Sequence, residues 1–190
     1  MNAIEIAAAL LGIVNVALVV RRSIWNYPFG LAMVTLYGFV FFEARLYSDM
    51  LLQVFFFVVQ LYGWINWSRA DRIRGGVAIA VLGWPLRLGW LAFAIGFSAA
   101  LGLAMQSWTD AAAPFADATI AGFSVTAQIL LSLRRIENWV LWILIDIGAI
   151  ALFLNRGLTV TAGLYAVFLL MSIAGLYGWL RLLRTGDRPA

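Results

Sequence analysis

The chain has 190 residues, of which 64% are hydrophobic and 12% charged, with a mean hydropathy of +0.95 and a formal charge of +4. Soluble domains carry about 25% charged residues, so this composition excludes an ordinary soluble domain and points to a polytopic membrane protein. Cysteine, histidine and lysine are absent, which removes disulfides, thiolate and Ser-Lys nucleophiles and His-based metal sites.

A hydrocarbon core about 30 Å thick takes about 20 apolar residues per helix. Seven such stretches are expected, at 4–20, 26–43, 49–67, 79–104, 115–133, 139–154 and 159–183. They occupy nearly the whole chain and leave no room for a soluble catalytic domain, and the sequence holds no P-loop, no G-x-G-x-x-G and no acid cluster of the Mg²⁺-binding kind. The protein is therefore expected not to be an enzyme, and no cofactor is expected.

The first stretch has Glu5 as its early charge and meets Arg21-Arg22 only after the apolar run, the reverse of a signal peptide, so it reads as a retained helix. The second opens on W-N-Y-P-F-G (Trp25 to Gly30) and ends near Glu43. The third carries Asp49, Gln53, Gln60, Trp64 and Trp67 along one helical stripe. It leads into S-R-A-D-R-I-R-G-G (Ser68 to Gly76), and the fourth then reads as a connecting helix. On the fifth, Asp117, Ser124 and Gln128 fall at i, i+7 and i+11; on the sixth, Trp139, Trp142 and Asp146 fall at i, i+3 and i+7.

An acid at mid-membrane costs about 2.5–3.5 kcal/mol on insertion scales, so Asp146 is expected to face protein or a wet cavity. Indoles beside it suit a flat cationic heteroaromatic ligand, because their faces attract cations by about 0.5–2 kcal/mol. Trp25, Trp67, Trp84 and Trp108 sit near span ends and read as interfacial anchors. Ser124 and Ser172 also suit helix packing, and the glutamines suit interhelical hydrogen bonding.

With the N-terminus outside, Arg21, Arg22, Arg69, Arg72, Arg74, Arg87, Arg134, Arg135, Arg181, Arg184 and Arg188 fall on one side and only Arg45 and Arg156 on the other. That bias places the arginine-rich side and the C-terminus in the cytoplasm. The positive charge is then explained by orientation and anionic lipid, and no nucleic-acid partner is expected.

Two internal echoes suggest a repeat. Arg21-Arg22 followed by I-W-N returns as Arg134-Arg135 followed by I-E-N-W, and L-Y-G-W occurs at Leu61 to Trp64 and at Leu176 to Trp179, spacings of 113 and 115. One three-helix unit (1–67), a linker helix (77–105) and a second unit (115–184) would make one transmembrane domain of 3+1+3 helices. An odd linker makes the repeat parallel, with a ligand site expected between the units.

W-N-Y-P-F-G, F-F-E-A-R-L-Y-S-D-M-L-L-Q-V-F-F-F (Phe41 to Phe57) and E-N-W-V-L-W (Glu137 to Trp142) together resemble the PnuC family of bacterial vitamin transporters over nearly the full length of the chain. The resemblance implies a SWEET-related 3+1+3 fold in the bacterial inner membrane, commonly a homotrimer. It implies facilitated uptake of nicotinamide riboside, trapped by a cytoplasmic kinase that phosphorylates it. It also implies substrate contacts from Trp139, Trp142, Asp146 and Gln53. Gln60, Gln128 and Ser124 join them from the polar stripes, with Asn26 as a further candidate. Thiamine uptake on the same scaffold, and proton-coupled transport through Asp146, are the alternatives.

Overall fold

The computed structural model describes residues 3–43, 47–74, 77–109, 113–155, 157 and 159–185. Arg45, Arg156 and Arg188 lie outside the described residues, as do the side chains of Asp49 and Arg74. Seven helices follow in order: α1 Ala3–Val20, α2 Asn26–Glu43, α3 Tyr47–Arg74, α4 Trp84–Trp108, α5 Pro114–Ser132, α6 Glu137–Asn155 and α7 Thr159–Thr185. All except α2 are both long and apolar enough to cross a membrane. The count of seven helices agrees with the sequence, although α2, diluted by Asn26, Tyr27, Thr35 and Glu43, is less apolar than its neighbours.

Two boundaries differ from expectation. α3 runs on to Arg74, because Ser68–Arg74 is polar yet free of helix breakers. α4 begins at Trp84, not near residue 79, with Gly83 extended at its N-cap and Pro85 in the first turn. The residues before it are held away from the helix. Ala80 donates its N–H to the Arg134 carbonyl and accepts from the Ile136 N–H, at 3.0 and 3.1 Å. Glu137 fixes the same strap through the Leu82 N–H (2.9 Å) and the Arg87 guanidinium (3.0 Å).

Helix neighbours follow a closed circuit. α1 packs on α2, α2 on α3, α3 on α5, α5 on α6, α6 on α7 and α7 back on α1, while α4 packs on α5 alone. Six helices thus make a ring with α4 outside it. Leu10 and Val14 of α1, and Val140, Leu144 and Ile147 of α6, are exposed on the outer side, as suits a lipid-facing surface.

The geometry repeats at a constant shift of 112 positions. After α1, Arg22 adopts the left-handed conformation (φ 58°), with Arg22 N–H on the Val19 carbonyl and Ser23 N–H on that of Leu18. After α5, Arg134 does the same (φ 59°), bonding Leu131, while Arg135 bonds Leu130. This is the bonding pattern that ends many helices, usually on glycine. Asn26 and Asn138 then each turn a side-chain N–H onto the carbonyl three residues back. The shift continues into the helices. Tyr27 meets Trp67 edge-on at 5.5 Å, and Trp139 meets Trp179 edge-on at 5.5 Å. The L-Y-G-W echo at spacing 115 is therefore out of register by three residues: the structural counterpart of Trp179 is Trp67, not Trp64.

Candidate substrate site

The arginine-rich end of the ring is filled by aromatic side chains. Tyr27, Trp67, Trp139 and Trp179 are all buried, and Trp67 and Trp179 meet across the ring at 6.2 Å. Glycines make this layer possible. A Cβ on Gly175 would lie 2.6 Å from the Trp139 ring, and one on Gly63 would lie 2.7 Å from the Tyr27 hydroxyl. Each of the crossing tryptophans also ties its half to the other: Trp67 Nε1 donates to the Leu131 carbonyl (3.2 Å), and Trp179 Nε1 to the Val20 carbonyl (3.3 Å). Trp67, expected as an interfacial anchor, is fully buried here; Trp25, Trp84 and Trp108 are exposed near helix ends, as anchors are. Trp139 belongs to this layer, and its Nε1 has no hydrogen-bond partner. Outside the layer lies a groove of about 200 Å³ lined by Asn66, Arg69, Ala70, Ile73 and Arg134.

One turn further in, the ring becomes polar. Trp142 is half-buried and packs against the aromatic core. Asp146 is 3% exposed and accepts a hydrogen bond from the Ser172 hydroxyl at 3.1 Å. The acid lies on the face opposite Val140, Leu144 and Ile147, so its insertion cost is offset inside the protein and not in lipid. On α3, Gln60 is 5% exposed; on α5, Gln128 is 8% exposed and Ser124 is also buried. Neither glutamine side chain hydrogen-bonds a protein group among the described residues. Neither is among the fully enclosed polar groups that lack a partner, so both keep polar atoms on open space, where a polar ligand can reach them. Gly122 packs on Ser98 of α4, and the helical period puts Ser124 and Gln128 on the far side of α5 from that contact.

The remaining expected residues are placed differently. Gln53 is half-buried two turns along α3 from Gln60, beside Gly38 of α2. Asn26 is buried, but its side-chain N–H is used on the Ser23 carbonyl and its own carbonyl accepts from Asn15 Nδ2 at 2.7 Å. Its role is to fix the start of α2. Asn15 itself was not among the sequence candidates. Its face of α1, shared with Ala8 and Val19, was the available signal, since an amide on the buried side of an apolar helix is costly without a purpose.

A family model described as nicotinamide mononucleotide transporter matches residues 2–181. The nicotinamide riboside transporter PnuC of Escherichia coli (strain K12) is 31% identical, with 93% of this chain and 84% of that protein covered. The riboflavin/roseoflavin transporter RibM of Streptomyces davaonensis is 26% identical over 97% of this chain and 88% of its own length. A crystal structure of the vitamin B3 transporter PnuC superposes with a TM-score of 0.78 at 27% identity, covering 97% of this chain and 83% of that one. The helical ring, its buried acid and these matches lead to one conclusion: the chain belongs to the nicotinamide mononucleotide transporter family, as a multi-pass inner-membrane transport protein and not an enzyme.

Proposed function

We propose that the protein takes up nicotinamide riboside by facilitated diffusion, through alternating access of the polar layer inside the ring. The observation that supports this reading is the buried acid of α6, bonded to Ser172 and one turn from Trp142, in a ring whose other helices bury Gln60 and Gln128. A pyridinium ring suits an indole face, its charge suits a carboxylate, and ribose hydroxyls suit amides. Each described arginine lies, by its place in the chain, toward the ring's end or in the loops there. A polar layer with a carboxylate and, among the described residues, no cation disfavours a phosphorylated substrate, which supports the riboside over the mononucleotide.

Alternating access is supported by the aromatic layer, which closes the arginine-rich end with two reciprocal N–H bonds between the halves. The 112-position correspondence and the separate packing of α4 support a parallel 3+1+3 repeat rocking about its interfaces, α1 with α7 and α3 with α5. The arginine-rich end is assigned to the cytoplasm, with the N-terminus outside. α4 turns apolar residues such as Leu88, Phe93 and Ile95 outward, a surface suited to lipid and to neighbours in a homotrimer. Trapping falls to a cytoplasmic kinase that adds the phosphate this layer would not admit.

Uptake of labelled nicotinamide riboside into proteoliposomes tests the reading. It should equilibrate without any ion gradient and be reduced by excess unlabelled riboside but not by thiamine. Accumulation that depends on a proton gradient would favour coupling through Asp146, and competition by thiamine alone would move the protein to that vitamin.

A further inference from the structure

The arginine-rich end of the ring carries a feature that the proposed transport cycle does not use. The groove of about 200 Å³ outside the aromatic layer is lined by Asn66, Arg69, Ala70 and Ile73 of α3 and by Arg134 of the α5–α6 turn. The four α3 residues fall at i, i+3, i+4 and i+7, one face of a helix that has run on past Trp67, and Asp71 lies on the opposite side of it. The lining therefore has two guanidinium groups and no carboxylate. Arg69 is exposed and Ile73 is 81% exposed, so the groove is reached from water.

Arg134 is held there against its backbone preference. It is left-handed (φ 59°), at a helix end where glycine fits without strain. Its counterpart Arg22 is left-handed too, and donates to the Val77 carbonyl at 3.3 Å. An arginine kept where glycine fits better points to a use for its side chain: Arg22 spends it on the strap, and Arg134 brings it to the groove. Asn66 adds a third donor. One of its N–H groups is fixed on the Ser132 carbonyl at 2.7 Å, which orients the amide and leaves the second N–H.

Two guanidinium groups and an amide N–H around one open space suit a phosphate, because forked N–H pairs match its oxygens and each bond is charge-assisted. Both halves contribute, α3 from one and the α5–α6 turn from the other. Just behind the groove, Trp67 Nε1 and Asn66 Nδ2 already bond α3 to the last carbonyls of α5. An anion shared by Arg69 and Arg134 would add a further tie across the same seam.

We propose that this groove binds a phosphate group, supplied by a soluble phosphomonoester or by an anionic lipid headgroup, and that the bound phosphate holds the arginine-rich end closed. Its placement in the cytoplasm and its effect on uptake rest on the function proposed above. A soluble ester would slow uptake as phosphorylated cargo collects; a headgroup would set the rate by membrane composition.

Thermal unfolding of the full-length protein in neutral detergent, with ribose 5-phosphate against ribose at equal ionic strength, tests the site. Ribose 5-phosphate at about tenfold its Kd should raise the melting temperature by roughly 3–6 °C. Arg69→Gln, at an exposed position, and Arg134→Gly, which suits the left-handed backbone, should both fold and both lose the rise. In proteoliposomes, ribose 5-phosphate on the cytoplasmic side should slow nicotinamide riboside uptake at least about twofold in the unaltered protein and leave Arg69→Gln unaffected. A rise produced by phosphatidylglycerol but not by phosphatidylcholine, with no further response to ribose 5-phosphate, assigns the groove to the headgroup. Failure of both probes to stabilise the unaltered protein, or an undiminished response in both variants, overturns the site while the transport reading stands. Stabilisation without any slowing of uptake overturns the closing role. An unaltered protein that takes up no riboside overturns the transport reading and leaves the thermal measurement to judge the groove.

Discussion

Compared at matched positions, the halves α1–α3 and α5–α7 are nearly the same at the arginine-rich end and unlike one turn deeper. At the end, each half has a left-handed arginine, a turn-fixing asparagine, a glycine under an aromatic ring and a tryptophan reaching across. Deeper, Gly30, Val34 and Gln60 face Trp142, Asp146 and Ser172 as counterparts. In the proposed mechanism a closing layer has to fit the same way from both sides, so symmetry serves it. The proposed substrate, with a charged ring, a substituent and a sugar, has no symmetry, so the proposed binding layer must break it.

The largest effects should come from the shared layer. Gly175→Val would drive a side chain into the Trp139 ring, and Gly63→Val into Tyr27 and Ser132. Overpacking of this kind costs about 1–3 kcal/mol or more, and both variants should lose much of their melting temperature and their transport. If only one of the pair suffers, the correspondence of the two halves is broken. Next comes the unlike layer: Trp142→Ala should weaken nicotinamide riboside binding roughly 10- to 100-fold with the melting temperature nearly unchanged, as read by calorimetry and thermal unfolding. Asp146→Asn should weaken binding by about tenfold, the scale of one charge-assisted contact, and should do so less for an uncharged ring analogue.

Smaller effects sharpen the comparison. Trp67→Phe and Trp179→Phe keep an aromatic ring and remove one N–H bond each, so each should destabilise by about 1 kcal/mol. Near-equal shifts in thermal unfolding would support reciprocal latches, and a strongly unequal pair would argue against them. Glu137→Gln should have the least effect, within about 1 kcal/mol, because its Arg87 partner is one-third exposed. Its counterpart Trp25 is an exposed anchor, so this ion pair belongs to one half only.

The helices, the buried side of α6 and the burial of Gln60, Ser124 and Gln128 were legible in the chain, because lipid tolerates few exceptions and every polar residue at mid-depth stands out against an apolar background. The repeat was legible too, though its register was not. L-Y-G-W matches by letters at a spacing of 115, whereas side chains meeting in space obey 112, and only contacts between helices distant in sequence could distinguish them. For the same reason Trp67 looked like an anchor at a span end until α7 was seen packed against it.

Composition and period therefore determined the solvent, the number of helices and the buried side of α6, since these depend on residues near one another along the chain. The ring, the reciprocal tryptophan latches, the strap at 77–83 and the groove between α3 and Arg134 were decided by tertiary structure alone. Each requires groups from different helices to reach the same few ångströms, and no local pattern records which helix will be the neighbour.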